Sequence, residues 1–292
     1  MNRVGTTISV RERNEGGDVT STPLPLPSAW RGISHLILLV HGYNNTAEEA
    51  REAFSRLTSR LPERFPEVGW FFWPGDADWG WFDALDFISY PKQIPNAQAS
   101  AAQLADLLLR LTRENSGVEI TLVGHSLGCR LIAECIDILA STHQARPRIR
   151  ALVLMAAALP VALAHSGDQL GKSMRAIVAQ GYIFHSTRDR VLQYAFPAGQ
   201  TLAAAMGYER DIYLEAVGRH GNPQDLFLQT PQHCHGNHHG DYWSDPDVVA
   251  RLSQIGNAAL KHSPTTRLIP QVRATPLRTI SRRDPSPGRQ CG

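Results

Sequence analysis

Cysteine is scarce in this chain of 292 residues, with four at positions 129, 135, 234 and 291. That number and placement suggest no disulfide framework. Cys129 and Cys135 read as small core residues on a helix, and a reducing, cytoplasmic setting is the default. Long apolar runs are also lacking. The longest, Ala151–Ala164, is too short to span a bilayer and is broken by Pro160. Met1–Pro27 holds no apolar segment behind a basic start, so no secretory signal is expected. No internal repeat is present, and charged residues make up only 19%. The net charge of +2 hides an uneven split, because residues 1–262 carry 23 basic and 26 acidic side chains, net −3. A mildly acidic body is not a nucleic-acid binder by charge.

The excess of arginine sits at the end. From Ser263 onward there are six arginines, one acid (Asp284) and five prolines, so 263–292 reads as a flexible basic tail. It is either simply solvated or in contact with an anionic surface. Residues 1–32 read as an N-terminal extension, and 33–262 as one domain with enough apolar content, 42% overall, for a sizeable core.

Within that domain, strand-like and helix-like segments alternate, which predicts an α/β fold: a mostly parallel twisted sheet with helices on both faces. Strands are expected at Leu36–Val40, Val68–Trp73, the run before Gly124, Ile149–Met155, Tyr182–His185 and near Leu226–Gln229. Thr46 and Glu49 form a capping box ahead of a helix striped by Ala50, Phe54, Leu57 and Leu61. Further helices are expected over about 97–113, near 168–180 and from Asp245 to Ile255.

The most informative stretch is Val118–Gly128. A β-type run enters Gly124-His125-Ser126-Leu127-Gly128, and Leu131, Ile132, Cys135, Ile136 and Leu139 follow at helical spacing. Gly-x-Ser-x-Gly between strand and helix has the form of a nucleophile elbow, which exposes a serine on a strained turn. Side chains at 124 or 128 would collide where the turn closes. Ser126 is therefore the candidate nucleophile.

A serine hydroxyl needs a base, an acid that orients the base, and donors for the developing oxyanion. In elbow-bearing sheets the order along the chain is Ser, Asp/Glu, His. Asp189, in the polar turn after Tyr182–His185, is the candidate acid, with Asp211 and Asp225 as weaker substitutes and Arg188 and Arg190 as flanking cations. Four histidines compete for the base: His233, His235, His238 and His239. His239, immediately before Gly240-Asp241-Tyr242-Trp243, is chosen, and His238 is its nearest rival. The same cluster, with Cys234 and Asp241, has ligand types suited to a metal. It is contiguous in a Gly-containing loop and lacks zincin spacing, so no metal is assigned and no cofactor is expected.

The backbone N–H groups of Leu127 and Tyr43 are the expected oxyanion donors, the latter in the loop His41-Gly42-Tyr43-Asn44. The Tyr43 phenol or the Asn44 amide is a candidate substrate contact. His41 and His125 read as loop-packing residues. Residues 70–90 hold nine of the 22 aromatics. Trp70, Phe71, Phe72 and Trp73 belong to a strand, whereas Trp79, Trp81, Phe82 and Phe87 lie in a Gly/Asp-interrupted excursion within 75–95. That excursion is either a lid or apolar binding wall, with Trp79, Trp81 and Phe82 against substrate, or a loop packed down by its own rings.

By these residues the chain resembles the α/β-hydrolase superfamily of lipases and esterases. Leu38–Asn44 together with Leu122–Leu131 is similar, more narrowly, to a poorly characterised group of bacterial hydrolases that also carry a strand ending in Trp-Pro, here Trp73-Pro74, and an Ala/Ser-rich helix, here Ala97–Arg110. The likeness covers roughly 33–257 and is loose from 190 to 232. It implies a serine hydrolase of small-molecule carboxylic esters acting through an acyl-enzyme. The alternatives are acyl transfer on the same fold, and a non-catalytic or metal-binding protein that uses the histidine loop.

Overall fold

The computed structural model describes residues 4–12, 18–76, 89–142, 146–223, 226–227, 232–234 and 236–262, with the backbone alone for 232–234 and 262. Among them seven strands form one parallel sheet: β1 (Thr6–Ser9), β2 (His35–Val40), β3 (Glu67–Phe72), β4 (Glu119–His125), β5 (Arg148–Met155), β6 (Gly181–His185) and β7 (Gln232–Cys234), in the order β1-β3-β2-β4-β5-β6-β7. Every pairing is parallel. All six residues of β2 are buried, as expected of a strand covered on both faces. In the β2–β4 ladder Val40 stands opposite Gly124, so both strands run out of the sheet side by side.

The chain leaves β2 for β3 on one side, returns across β2 to β4, then continues outward through β5, β6 and β7. The reversal lies between β2 and β4. In open α/β sheets a crevice forms at the carboxyl ends of the strands at such a point.

The helices are α1 (Ala47–Thr58), α2 (Tyr90–Glu114), α3 (Leu127–Ser141), α4 (Val161–Ala164), α5 (Gln169–Ile177), α6 (Phe196–Ala205), α7 (Val217–His220) and α8 (Pro246–His262). They pack in two groups. Helix α3 packs against α2 and α5, and α2 against α6, while α1 and α8 both meet the 3₁₀ turn Asp241–Ser244. The capping box of α1 is formed, with Thr46 accepting from Glu49 N–H and the Glu49 carboxylate accepting from Thr46 N–H. Trp70, Phe71, Phe72 and Trp73 are all buried, and the Phe54 ring of α1 lies edge-on to Phe72 at 5.4 Å and Trp243 at 5.2 Å. Anchoring Trp243 is worth roughly 2 kcal/mol of apolar burial, and it fixes the chain just past His239.

The last strand differs from expectation. Leu226 and Phe227 are buried but not in a strand, and the strand is Gln232–Cys234. Leu226 N–H closes a turn onto Pro223 O at 3.2 Å, and the Phe227 ring fills the space over Gly181 that a side chain there would need. An apolar pair at that point packs against β6 without extending the sheet. Helix α2 begins at Tyr90, earlier than the expected 97, because Pro91 suits a first turn; Pro95 lies inside it. Strand β1 lies in the segment read as an extension. Its Thr-Thr-Ile-Ser sequence is short and mostly polar, yet it pairs with Gly69–Phe72 at the sheet edge. Among the described residues no helix is long and apolar enough to cross a membrane.

Candidate active site

Strand β4 delivers Ser126 at the start of α3 with φ 52° and ψ −125°, a conformation that L residues rarely adopt. Such backbone costs on the order of 1–3 kcal/mol and persists only when its surroundings hold it. Here they do. Ser126 N–H donates to Met155 O at 3.0 Å, and Ser126 O accepts from Cys129 N–H and Ala158 N–H, each at 3.0 Å. Strand β5 and the first turn of α3 thus fix the turn that presents the hydroxyl.

The polar turn after β6 carries Asp189, which is fully buried while Arg188 and Arg190 on either side are exposed. One Asp189 carboxylate oxygen accepts Leu192 N–H at 3.0 Å. The other lies 2.7 Å from His239 Nδ1, and His239 Nε2 lies 2.9 Å from Ser126 Oγ. The consistent tautomer has Nδ1–H donating to Asp189 and Nε2 accepting the serine proton. Three loops, from β4, β6 and β7, therefore converge on one hydrogen-bonded line.

Neighbouring groups hold the His239 loop in register. His238 N–H donates to Asp241 Oδ2 at 2.8 Å, Asn237 Nδ2 donates to Asp245 Oδ2 at 2.6 Å, and His125 Nε2 lies 2.7 Å from the His239 carbonyl oxygen. Burial, followed by the nearby His239, lowers the His125 pKa to about 3. His125 is therefore neutral and donates Nε2–H to that carbonyl. Residues His233 and Cys234 are described by backbone only, and His235 lies outside the described residues. Among the described residues no three His, Cys, Asp or Glu side chains gather as a metal site.

The loop after β2 lies against the serine. A β-carbon on residue 42 would stand 2.8 Å from Ser126 Cβ, so only glycine lets the loop approach this closely. His41, buried at its start, has its pKa lowered to about 3, first by burial and next by the Arg11 charge. Tyr43 is half-buried; its hydroxyl shares a hydrogen bond with Ser89 Oγ, and its ring stands edge-on to Tyr90 at 5.9 Å. Asn44 is exposed, with φ 59°, and its N–H is taken by Gly75 O at 2.7 Å. Leu127 is the first residue of α3, where helical geometry gives an N–H no intrahelical partner.

The remaining candidates lie apart or outside. Asp211 is exposed and paired with Arg210 at 3.0 Å. Asp225 and the aromatic residues Trp79, Trp81, Phe82 and Phe87 lie outside the described residues. Reading the sequence missed the His125–His239 link, because nothing local in Gly-His-Ser signals a contact 114 positions away.

Residues 30–255 match the family described as alpha/beta hydrolase of unknown function (DUF900). The chain belongs to this family. No curated protein sequence matches it. Among solved structures, an uncharacterised protein from Bacillus cereus is 12% identical with a TM-score of 0.47, covering 80% of this chain and 61% of that one. Carboxyl esterase 2 from Tuber melanosporum is 12% identical with a TM-score of 0.44, covering 79% of each chain. Acyl-protein thioesterase 2 from Zea mays is 15% identical with a TM-score of 0.42, covering 79% of this chain and 95% of that one. Likeness at this level carries nothing about substrate.

Proposed function

We propose that this α/β hydrolase cleaves carboxylic esters through an acyl-enzyme on Ser126. The observation that carries the reading is the hydrogen-bonded line Ser126–His239–Asp189 at 2.9 and 2.7 Å on a turn with φ 52°. His239 takes the Ser126 proton as Oγ attacks the acyl carbon, and Asp189 holds the imidazole in the required tautomer and stabilises the imidazolium. The tetrahedral oxyanion is received by the N–H groups of Leu127 and Tyr43, helped by the positive end of α3. His239 then protonates the leaving alkoxide. Water, deprotonated by the same imidazole, releases the acid and restores the serine. Asn44 is a substrate contact at the mouth of the site.

The test is fluorophosphonate labelling alongside turnover of p-nitrophenyl esters of increasing chain length, on the protein and on Ser126→Ala. The substitution should abolish labelling and lower turnover at least about 10³-fold. Labelling that survives in Ser126→Ala removes the assigned nucleophile.

A further inference from the structure

Arg11 lies outside the family-matched residues 30–255, two positions past the end of β1. Its side chain is nevertheless only 2% exposed. Nη1 donates to both oxygens of Asp76, at 2.5 and 2.6 Å, and that carboxylate belongs to the segment leaving β3. Nη2 donates to the carbonyl of Asn45 at 3.2 Å and lies 3.4 Å from His41 Nε2. One guanidinium therefore ties together the segments that leave the carboxyl ends of β1, β2 and β3. Nη1 alone engages the carboxylate, which leaves Nη2 of the same planar guanidinium for a second loop.

The direction in which this network acts follows from His41. Its Nε2 accepts Trp73 N–H at 3.2 Å on the side that faces Arg11, its carbonyl accepts Trp73 Nε1–H at 2.8 Å, and its ring stacks on Trp73 with planes 17° apart. With Nε2 accepting, Nδ1 carries the proton and donates to Gly42 O at 2.8 Å. In a planar trans peptide the C=O and N–H point in opposite directions. The bond that captures Gly42 C=O therefore also sets the heading of the Tyr43 N–H, which belongs to the same peptide unit.

We propose that Arg11 is a positioning residue for the oxyanion loop, contributed by the N-terminal segment and acting through His41 and Asn45 on the Tyr43 N–H. The role rests on the ester-cleavage reading above. It makes β1 and the residues after it part of the catalytic machinery. The Asp76 carboxylate both neutralises the buried cation and fixes its plane.

Arg11→Gln alone removes the cation that balances the buried Asp76 charge, so the informative variant is the neutral pair Arg11→Gln/Asp76→Asn, with Arg11→Ala assayed with and without added guanidinium. If Arg11 sets the donor, the neutral pair folds and loses about 10- to 100-fold in kcat with KM little changed, a size expected for a donor displaced by a fraction of an ångström to about one. Affinity for a trifluoromethyl ketone that adds to Ser126 should fall in parallel, and guanidinium should restore part of the Arg11→Ala rate. A folded neutral pair with unchanged kcat and unchanged ketone affinity overturns the proposal. A wild-type protein with no Ser126-dependent labelling or turnover overturns the ester reading instead. In that case ¹⁵N-imidazole spectra of His41 decide separately: loss of the single Nδ1–H tautomer in the neutral pair supports the Arg11 coupling, and an unchanged spectrum refutes it.

Discussion

The carbonyl oxygen of His41 stands inside the space that a β-carbon on residue 128 would fill, and the Val40 carbonyl lies 2.9 Å from the same point. The first turn of α3 is thus pressed directly against the exit of β2, backbone to backbone. No flexible side chain can give way there. Gly128→Ala should therefore push the serine turn and the His41 loop apart, at about 1–3 kcal/mol or more of overpacking strain. In a domain of this size that is a drop in melting temperature of about 2 °C or more, read by calorimetry. An unchanged melting temperature would show that the two segments can separate freely.

His125 offers a separate test. It is the chain neighbour of Ser126, yet its Nε2–H holds the carbonyl of His239 at 2.7 Å. The strand that carries the serine thereby grips the loop that carries the imidazole. His125→Phe keeps the ring volume and removes the donor, and kcat should fall about tenfold or more through a loosened Ser126–His239 distance. His125→Gln, which can still donate from the side-chain end, should recover part of the loss. Steady-state kinetics on a p-nitrophenyl ester decide it, and equal rates for Phe, Gln and wild type would leave the link without a catalytic consequence.

What the sequence made legible follows from locality. Ser126, Asp189 and His239 could each be singled out because each sits just past a strand or ahead of an aromatic anchor, in a short window with its own turn chemistry. The meeting of these three is a property of parallel strands that all end at one edge. Arg11 was not legible, since its partner Asp76 is 65 positions away and its own strand is short and mostly polar. Leu226 and Phe227 misled for a related reason: their burial serves packing against Gly181, and periodicity cannot tell that from a strand.

Three buried histidines give stability a defined pH dependence. Burial lowers the pKa of His41 and His125 to about 3, and burial with the Arg150 charge lowers that of His35 to about 4. A folded-state pKa below the unfolded value means that the unfolded chain binds more protons between the two. Stability is then fully present above pH 6.5 and is lost as pH falls from 6.5 toward 3. Each group should cost about 2 kcal/mol by pH 5, about 6 kcal/mol for the three together. Glu209, whose carboxyl is raised by burial, works in the opposite sense, being most stabilising at low pH. Urea unfolding at pH 7, 6 and 5 measures the slope. A flat profile over that range would mean that these imidazoles take up protons in the folded state without opening the core.

Asp189 and Asp241 make a paired comparison within one loop system. Asp189 accepts His239 Nδ1–H at 2.7 Å and is fully buried, whereas Asp241 accepts only His238 N–H, at 2.8 Å, among the hydrogen bonds resolved for its side chain. An amide at 189 can present N–H toward Nδ1, which favours the tautomer with the proton on Nε2, where it can no longer receive one from Ser126. Asp189→Asn should then lower kcat about 10³- to 10⁴-fold near neutral pH while KM changes little. Asp241→Asn keeps an acceptor for the His238 N–H, so kcat should fall less than about tenfold. Both substitutions are read on the same ester over pH 6 to 9, with folding checked by circular dichroism. Comparable losses in the two variants would mean that Asp189 acts by shaping the loop and that the acid partner of His239 has been misassigned.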